Sequence, residues 1–110
     1  MPGKFSTGLS RLLAKRERER NLLIEEARAY AERVQKALPD ARVYLYGSVA
    51  RGDFHDESDI DLLVVSELLP QDPLERLRLL YRFVEGREEP KGLKPEELEG
   101  VWWLEDAIPL

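Results

Sequence analysis

A chain of 110 residues with 43% hydrophobic residues fits a single domain with one core. Its formal net charge of −5 argues against a general affinity for nucleic acid. The absence of cysteine excludes disulfides, thiol chemistry and zinc–thiolate sites, and a single histidine, His55, cannot build a histidine cluster.

Residues 1–10 carry Pro, Gly, Ser and Thr without a pattern and read as a flexible tail, leaving 11–110 as one domain. From Arg11 the sequence is helical in character. Leu23, Ala27, Tyr30, Ala31, Val34 and Leu38 recur at spacings of three and four, an apolar stripe that Pro39-Asp40 ends. The mixed-sign run from Lys15 to Arg20 reads as a solvated face of that helix. No segment resembles a signal peptide or a membrane span, so a cytoplasmic protein is expected.

A strand follows over Arg42–Tyr46. Val43 and Leu45 face one way and Tyr44 and Tyr46 the other; both sets are apolar, as in a central strand covered on both faces. Gly47 permits an unusual turn and close approach by a ligand, and Ser48 is placed to cap a short helix running to Arg51. An acidic loop over 52–58 carries His55, which reads as a solvated loop residue close to the site. Asp59-Ile60-Asp61-Leu62-Leu63-Val64-Val65 is the next strand. Asp72, Pro73 and Glu75 form a helix start, with Leu74, Leu77, Tyr81 and Val84 as its buried stripe, Leu80 beside them and Gly86 as the stop. Residues 87–93 form a weaker strand whose Pro90 belongs at a sheet edge or strand end. Pro95 opens a last helix that bends near Gly100. The tail Val101, Trp102, Trp103, Leu104, Ile108 and Leu110 is apolar enough to be expected as a protein interface, with self-association in isolation. Trp102 and Trp103 read as core or interface residues rather than as a base-stacking platform. Helices alternating with strands give an α/β (α+β) fold.

The chemistry sits where Gly47-Ser48 and Asp59-x-Asp61 meet, ten residues apart. Side chains at i and i+2 of a strand share a face, so Asp59 and Asp61 would stand side by side and resist joint ionisation. Carboxylates so placed ask for a cation between them, and Mg²⁺ is held by one or two carboxylates together with substrate phosphates. Amide groups at a helix start and the Ser48 hydroxyl supply donors for those phosphates. Arg51 either clamps phosphate oxygens or pairs with Asp53 or Asp56.

The strings GSVARGD and SDIDLLV resemble the signature of the nucleotidyltransferase superfamily related to DNA polymerase beta, and the short length resembles its minimal branch, the MNT domains. The resemblance implies a small mixed β-sheet with helices packed against it. It also implies nucleotide binding at Gly47, Ser48 and Arg51, and Mg²⁺ or Mn²⁺ bound by Asp59, Asp61 and a third carboxylate. Counting back about one strand from Lys94-Pro95-Glu96-Glu97 places that third carboxylate at Glu89, with Glu88 next to it; the family more often has Asp there. The implied activity is transfer of AMP from ATP to an acceptor hydroxyl. Many such domains act as antitoxins that adenylylate a HEPN-like helical partner, and the alternative is an antitoxin that neutralises such a partner by binding alone.

Overall fold

A computed structural model describes residues 4–55, 57–101 and 104–110. Helix α1 spans Lys4–Ala37. Strand β1 (Arg42–Tyr46), a one-turn helix α2 (Gly47–Arg51), strand β2 (Ile60–Val65), helix α3 (Pro73–Tyr81), strand β3 (Glu88–Leu93), a 3₁₀ turn (Pro95–Leu98) and a two-residue strand β4 (Ile108–Pro109) follow. The sheet order is β3-β2-β1-β4. β1 is antiparallel to β2 and to β4, whereas β2 and β3 run parallel, with α3 in the crossover. This is the small mixed sheet with packed helices that the sequence leads one to expect.

Alternation sorts the strands into two faces. Val43, Leu45, Ile60, Leu62 and Val64 join the core cluster with Leu23, Ala27, Tyr30 and Val34 of α1. Leu23 and Val34 are essentially buried, and each such side chain contributes about 1.5–3 kcal/mol. The opposite face is divided along its length. Leu63 and Val65 are buried at one end, and Tyr46, Asp61, Glu89 and Lys91 occupy the other.

Several local expectations need correction. α1 begins at Lys4 rather than near Arg11, because no proline interrupts it after Pro2 and Gly8 is tolerated within a helix. The Lys15–Arg20 run is not wholly a solvated face. Arg20 donates to the carbonyls of Val49 (3.0 Å) and Ala50 (2.7 Å), and Arg16 donates to that of Phe54 while stacking on its ring at 4.1 Å. These carbonyls lie at the C-terminal end of α2 and just beyond it, where a helix leaves acceptors open, so two arginines of α1 clasp the site's short helix in place.

α3 starts as anticipated, with the Asp72 carboxylate accepting from the Leu74 amide at 2.9 Å and Pro73 in the first turn. Its orientation differs. Leu74, Leu77 and Tyr81 are exposed, and the inward face is Arg76 and Leu80, with Leu79, Phe83 and Val84 partly buried. Arg76 takes a buried position because its donors are satisfied there: Pro70 carbonyl at 3.0 Å, Gly92 carbonyl at 3.1 Å and Glu97 carboxylate at 2.8 Å. The helix after Pro95 is a single 3₁₀ turn. Ile108 pairs opposite Leu45 in β4 and, with Leu110, packs on the core, so these two residues belong to the domain and not to an outer interface. Trp102 and Trp103 lie outside the described residues.

Candidate nucleotide and metal site

The site forms at the end of the sheet where β1 runs out and β2 and β3 begin. Tyr46, the last residue of β1, pairs across from Asp61, and Asp61 is in register with Glu89 on β3. Asp59 precedes β2 by one residue and is exposed; Asp61 and Glu89 are half-buried. Glu89 lies near enough to the Asp59 side chain for their interaction to raise its carboxyl. Asp59, Asp61 and Glu89 therefore gather at neighbouring strand starts. Glu88, one residue earlier, points to the other face. Its buried carboxylate takes Arg33 at 2.7 Å and the Gly86 amide at 2.7 Å. Burial alone would raise Glu88, but the amides of Glu88, Glu85 and Gly86 outweigh it and hold its carboxyl below the ordinary range. The two adjacent glutamates thus divide: Glu88 locks the scaffold and Glu89 faces the site.

Gly47 opens α2 with φ +77°, a conformation that a Cβ resists. A side chain there would collide with the Asp61 carboxylate, whose Cγ would be 3.0 Å from the new Cβ. Glycine is required twice over, for its backbone and for the room it leaves. Ser48 does not cap α2, because Tyr46 occupies that position without a side-chain cap bond. The Ser48 residue instead sits in the first turn and lines a cleft of about 480 Å³ with Tyr46, Gly47, Arg51, Asp61 and Lys91. Arg51 lines this cleft and also meets Asp53 at 3.2 Å, so both roles read from the sequence are compatible. His55 lies in a separate hollow of about 240 Å³ with Glu19, Leu23, Phe54 and Arg87.

Lys91 went unread in the sequence. It stands two residues after Glu89 on the same face of β3, and that spacing was the available signal. Burial raises the Asp61 carboxyl first, and Asp59 adds to the rise, while the Lys91 ammonium and then Arg51 oppose it. Glu89 is raised chiefly by its side-chain interaction with Asp59, then by burial and the charges of Asp59 and Asp61. Burial, helped by Asp61 and Glu89, pushes the Tyr46 phenol up to about 12. Burial leads two of these shifts, and in all three neighbouring carboxylate charge adds to the rise, a contribution that a bound cation would relieve.

The donor set is hard oxygen and suits Mg²⁺ or Mn²⁺. Among the described residues no three carboxylates close on a ready-made metal cage. An ion of this kind is commonly completed by waters and substrate phosphates, and the adjoining cleft leaves room for them.

Comparison with known proteins agrees with this geometry. The family model "Nucleotidyltransferase domain" matches residues 27–101, from the middle of α1 through β3 and the 3₁₀ turn. A crystal structure of "a putative nucleotidyltransferase" from Sulfolobus solfataricus superposes with a TM-score of 0.72 and 28% identity, covering 86% of this chain and 84% of that one. The "Putative protein adenylyltransferase" of Methanocaldococcus jannaschii is 38% identical over 50 residues, which are 44% of this chain. The chain spans about half the length of that relative, 50%. With the strand order, the glycine turn and the carboxylates all in one frame, the chain belongs to the nucleotidyltransferase domain family.

Proposed function

We propose that this domain transfers AMP from ATP to an acceptor hydroxyl, using Mg²⁺ or Mn²⁺ held by Asp59, Asp61 and Glu89. The observation that carries the proposal is Asp61, in register with Glu89 and two residues from Asp59, lining a cleft together with Gly47, Ser48 and two cations, Arg51 and Lys91. When bound, the divalent ion offsets charge on the phosphate oxygens and lowers the pKa of the acceptor. Ser48, Arg51 and Lys91 bind and orient the β- and γ-phosphates, so that the pyrophosphate leaves along the cleft. The acceptor oxygen forms a bond to the α-phosphorus, and the bond from that phosphorus to the pyrophosphate oxygen breaks with its electron pair. The acceptor's proton passes to a carboxylate of the site, for which Glu89 is the candidate.

A protein hydroxyl as acceptor is supported by the name of the M. jannaschii relative. A helical partner of the HEPN type is the acceptor to offer first. Calorimetry with ATP is expected to give binding that needs Mg²⁺ and is lost with chelator. ATP labelled at the α-phosphate should then mark the acceptor, whereas γ-labelled ATP should not. Asp59→Asn and Asp61→Asn should each abolish the labelling with the fold intact. ATP affinity unchanged by chelator would remove the metal site. Metal-dependent binding without transfer would leave a nucleotide-binding antitoxin that acts by docking.

A further inference from the structure

α1 is about 51 Å long at 1.5 Å per residue, and the molecule measures 60 Å along its longest axis against 29 and 21 Å across. From Arg16 onward the helix is fastened to the body through Phe54, Val49 and Ala50. Before that point its apolar stripe continues, and among the described residues it stands exposed. Leu9, Leu12 and Leu13 stand eighteen positions ahead of Ala27, Tyr30 and Ala31, which is five turns at 3.6 residues each, so they continue the face that enters the core. Ala27, Tyr30 and Ala31 are buried; Leu9, Leu12 and Leu13 are 57%, 62% and 59% exposed.

The charge of this arm is opposite to that of the body. Lys4, Arg11, Lys15, Arg16 and Arg18 against Glu17 give residues 4–18 a net charge of +4, so the rest of the chain carries −9 of the total −5. Two such arms repel each other, and an arm and a body attract. Among the described residues beyond the arm, the exposed large apolar side chains are Leu22 on α1, Leu68 in the turn before α3, and Leu74, Leu77 and Tyr81 grouped on the outer face of α3. In sequence Glu67, Asp72 and Glu75 neighbour that group, against Arg82 and Arg78, the latter engaged by Glu75 at 3.0 Å.

We infer that the domain dimerises by exchanging arms: Leu9, Leu12 and Leu13 of one copy cover the Leu74–Leu77–Tyr81 face of α3 in a second copy, and the reverse contact closes a two-fold pair. Charge complementarity selects a second copy's body as the occupant. Reciprocity makes the assembly closed rather than a fibre, and it covers six of the exposed large apolar side chains at once. The Asp59–Asp61–Glu89 cleft plays no part in the contact.

Light scattering and sedimentation of the full chain test this. The wild-type chain is expected to be dimeric, with association weakening as salt is added. Leu12→Glu on the arm and Leu77→Glu on α3 should each raise the dimer Kd by at least about tenfold, with circular dichroism and ATP affinity unchanged. Both side chains are exposed in the monomer, so neither change disturbs the core. Mixing the two variants restores one intact arm–α3 contact, and the mixture should therefore associate more strongly than either variant alone. A monomeric wild type overturns the inference. So does a dimer that survives Leu12→Glu, or one that Leu12→Glu breaks and Leu77→Glu leaves intact.

Discussion

Gly47 and Gly52 make a matched pair for testing the site. Both have positive φ, +77° and +89°, so alanine at either pays the left-handed penalty of roughly 1–2 kcal/mol. Their surroundings differ. At Gly52 a Cβ meets nothing within 4 Å, whereas at Gly47 it meets the Asp61 carboxylate, with Cγ at 3.0 Å and Cβ at 3.2 Å. Gly52→Ala should therefore lower Tm by about 5–10 °C in a domain of this size and leave Mg²⁺-dependent ATP binding within a factor of two or three. Gly47→Ala should lose a similar amount of stability to its backbone and in addition push Asp61 off its position. Losing one charge-assisted contact of about 1.5–3 kcal/mol weakens ATP binding roughly 10- to 100-fold. Thermal denaturation of the metal-free proteins and calorimetry with Mg²⁺ and ATP measure the two effects separately. Equal losses of ATP affinity in the two variants, or none in Gly47→Ala, would refute the assignment of Asp61 and the glycine turn to one site.

Glu88→Ala should destabilise the fold by about 3 kcal/mol in urea titrations, because it leaves Arg33 with only the exposed Glu85 and the Phe83 carbonyl and leaves the Gly86 amide without its acceptor. A loss under 1 kcal/mol would mean that the pair is dispensable. The pH dependence should have two limbs. Asp61 and Glu89 are raised in the folded state, so the metal-free fold binds protons there more readily than the unfolded chain, and it gains stability as pH falls from neutral into that raised window. Asp40, held low first by the Ser66 hydroxyl, and Glu88 act oppositely, and their contribution is lost as pH falls below the ordinary carboxylate range. Denaturation midpoints across this range should pass through a maximum, and Asp61→Asn should flatten its neutral side; a midpoint that only rises from acid to neutral would contradict the crowding of carboxylates.

Much of the fold was legible because its signals are local. The stripe of α1, the Asp72-Pro73 start of α3 and the glycine turn before Ser48 each rest on a few neighbouring residues. Glu89 was reachable by counting one strand back from Pro95, and the β2–β3 register sets it opposite Asp61. What escaped depends on partners distant in sequence. Arg76 could not be read as an inward residue without knowing that Pro70, Gly92 and Glu97 would surround it, and so α3 was read with the wrong face inward. Arg16 and Arg20 looked like surface charge because the carbonyls they bind lie roughly thirty or more positions along the chain. β4 is two residues long and contains a proline, and strand patterns carry no weight at that length. Lys91 was hidden by the doubt attached to a strand containing Pro90.

The two outer strands of the sheet share a feature with a consequence for how chains can add to one another. β3 carries Pro90 and β4 carries Pro109, so each border of the sheet has a residue with no amide hydrogen to offer. Borders with unpaired amides and carbonyls invite another chain to add as a further strand, the first step towards ribbon-like aggregates. Proline on one border, and proline with extreme shortness on the other, obstruct that growth. Whatever this domain binds is thereby steered away from backbone pairing and towards side-chain recognition, on helices and at the cleft.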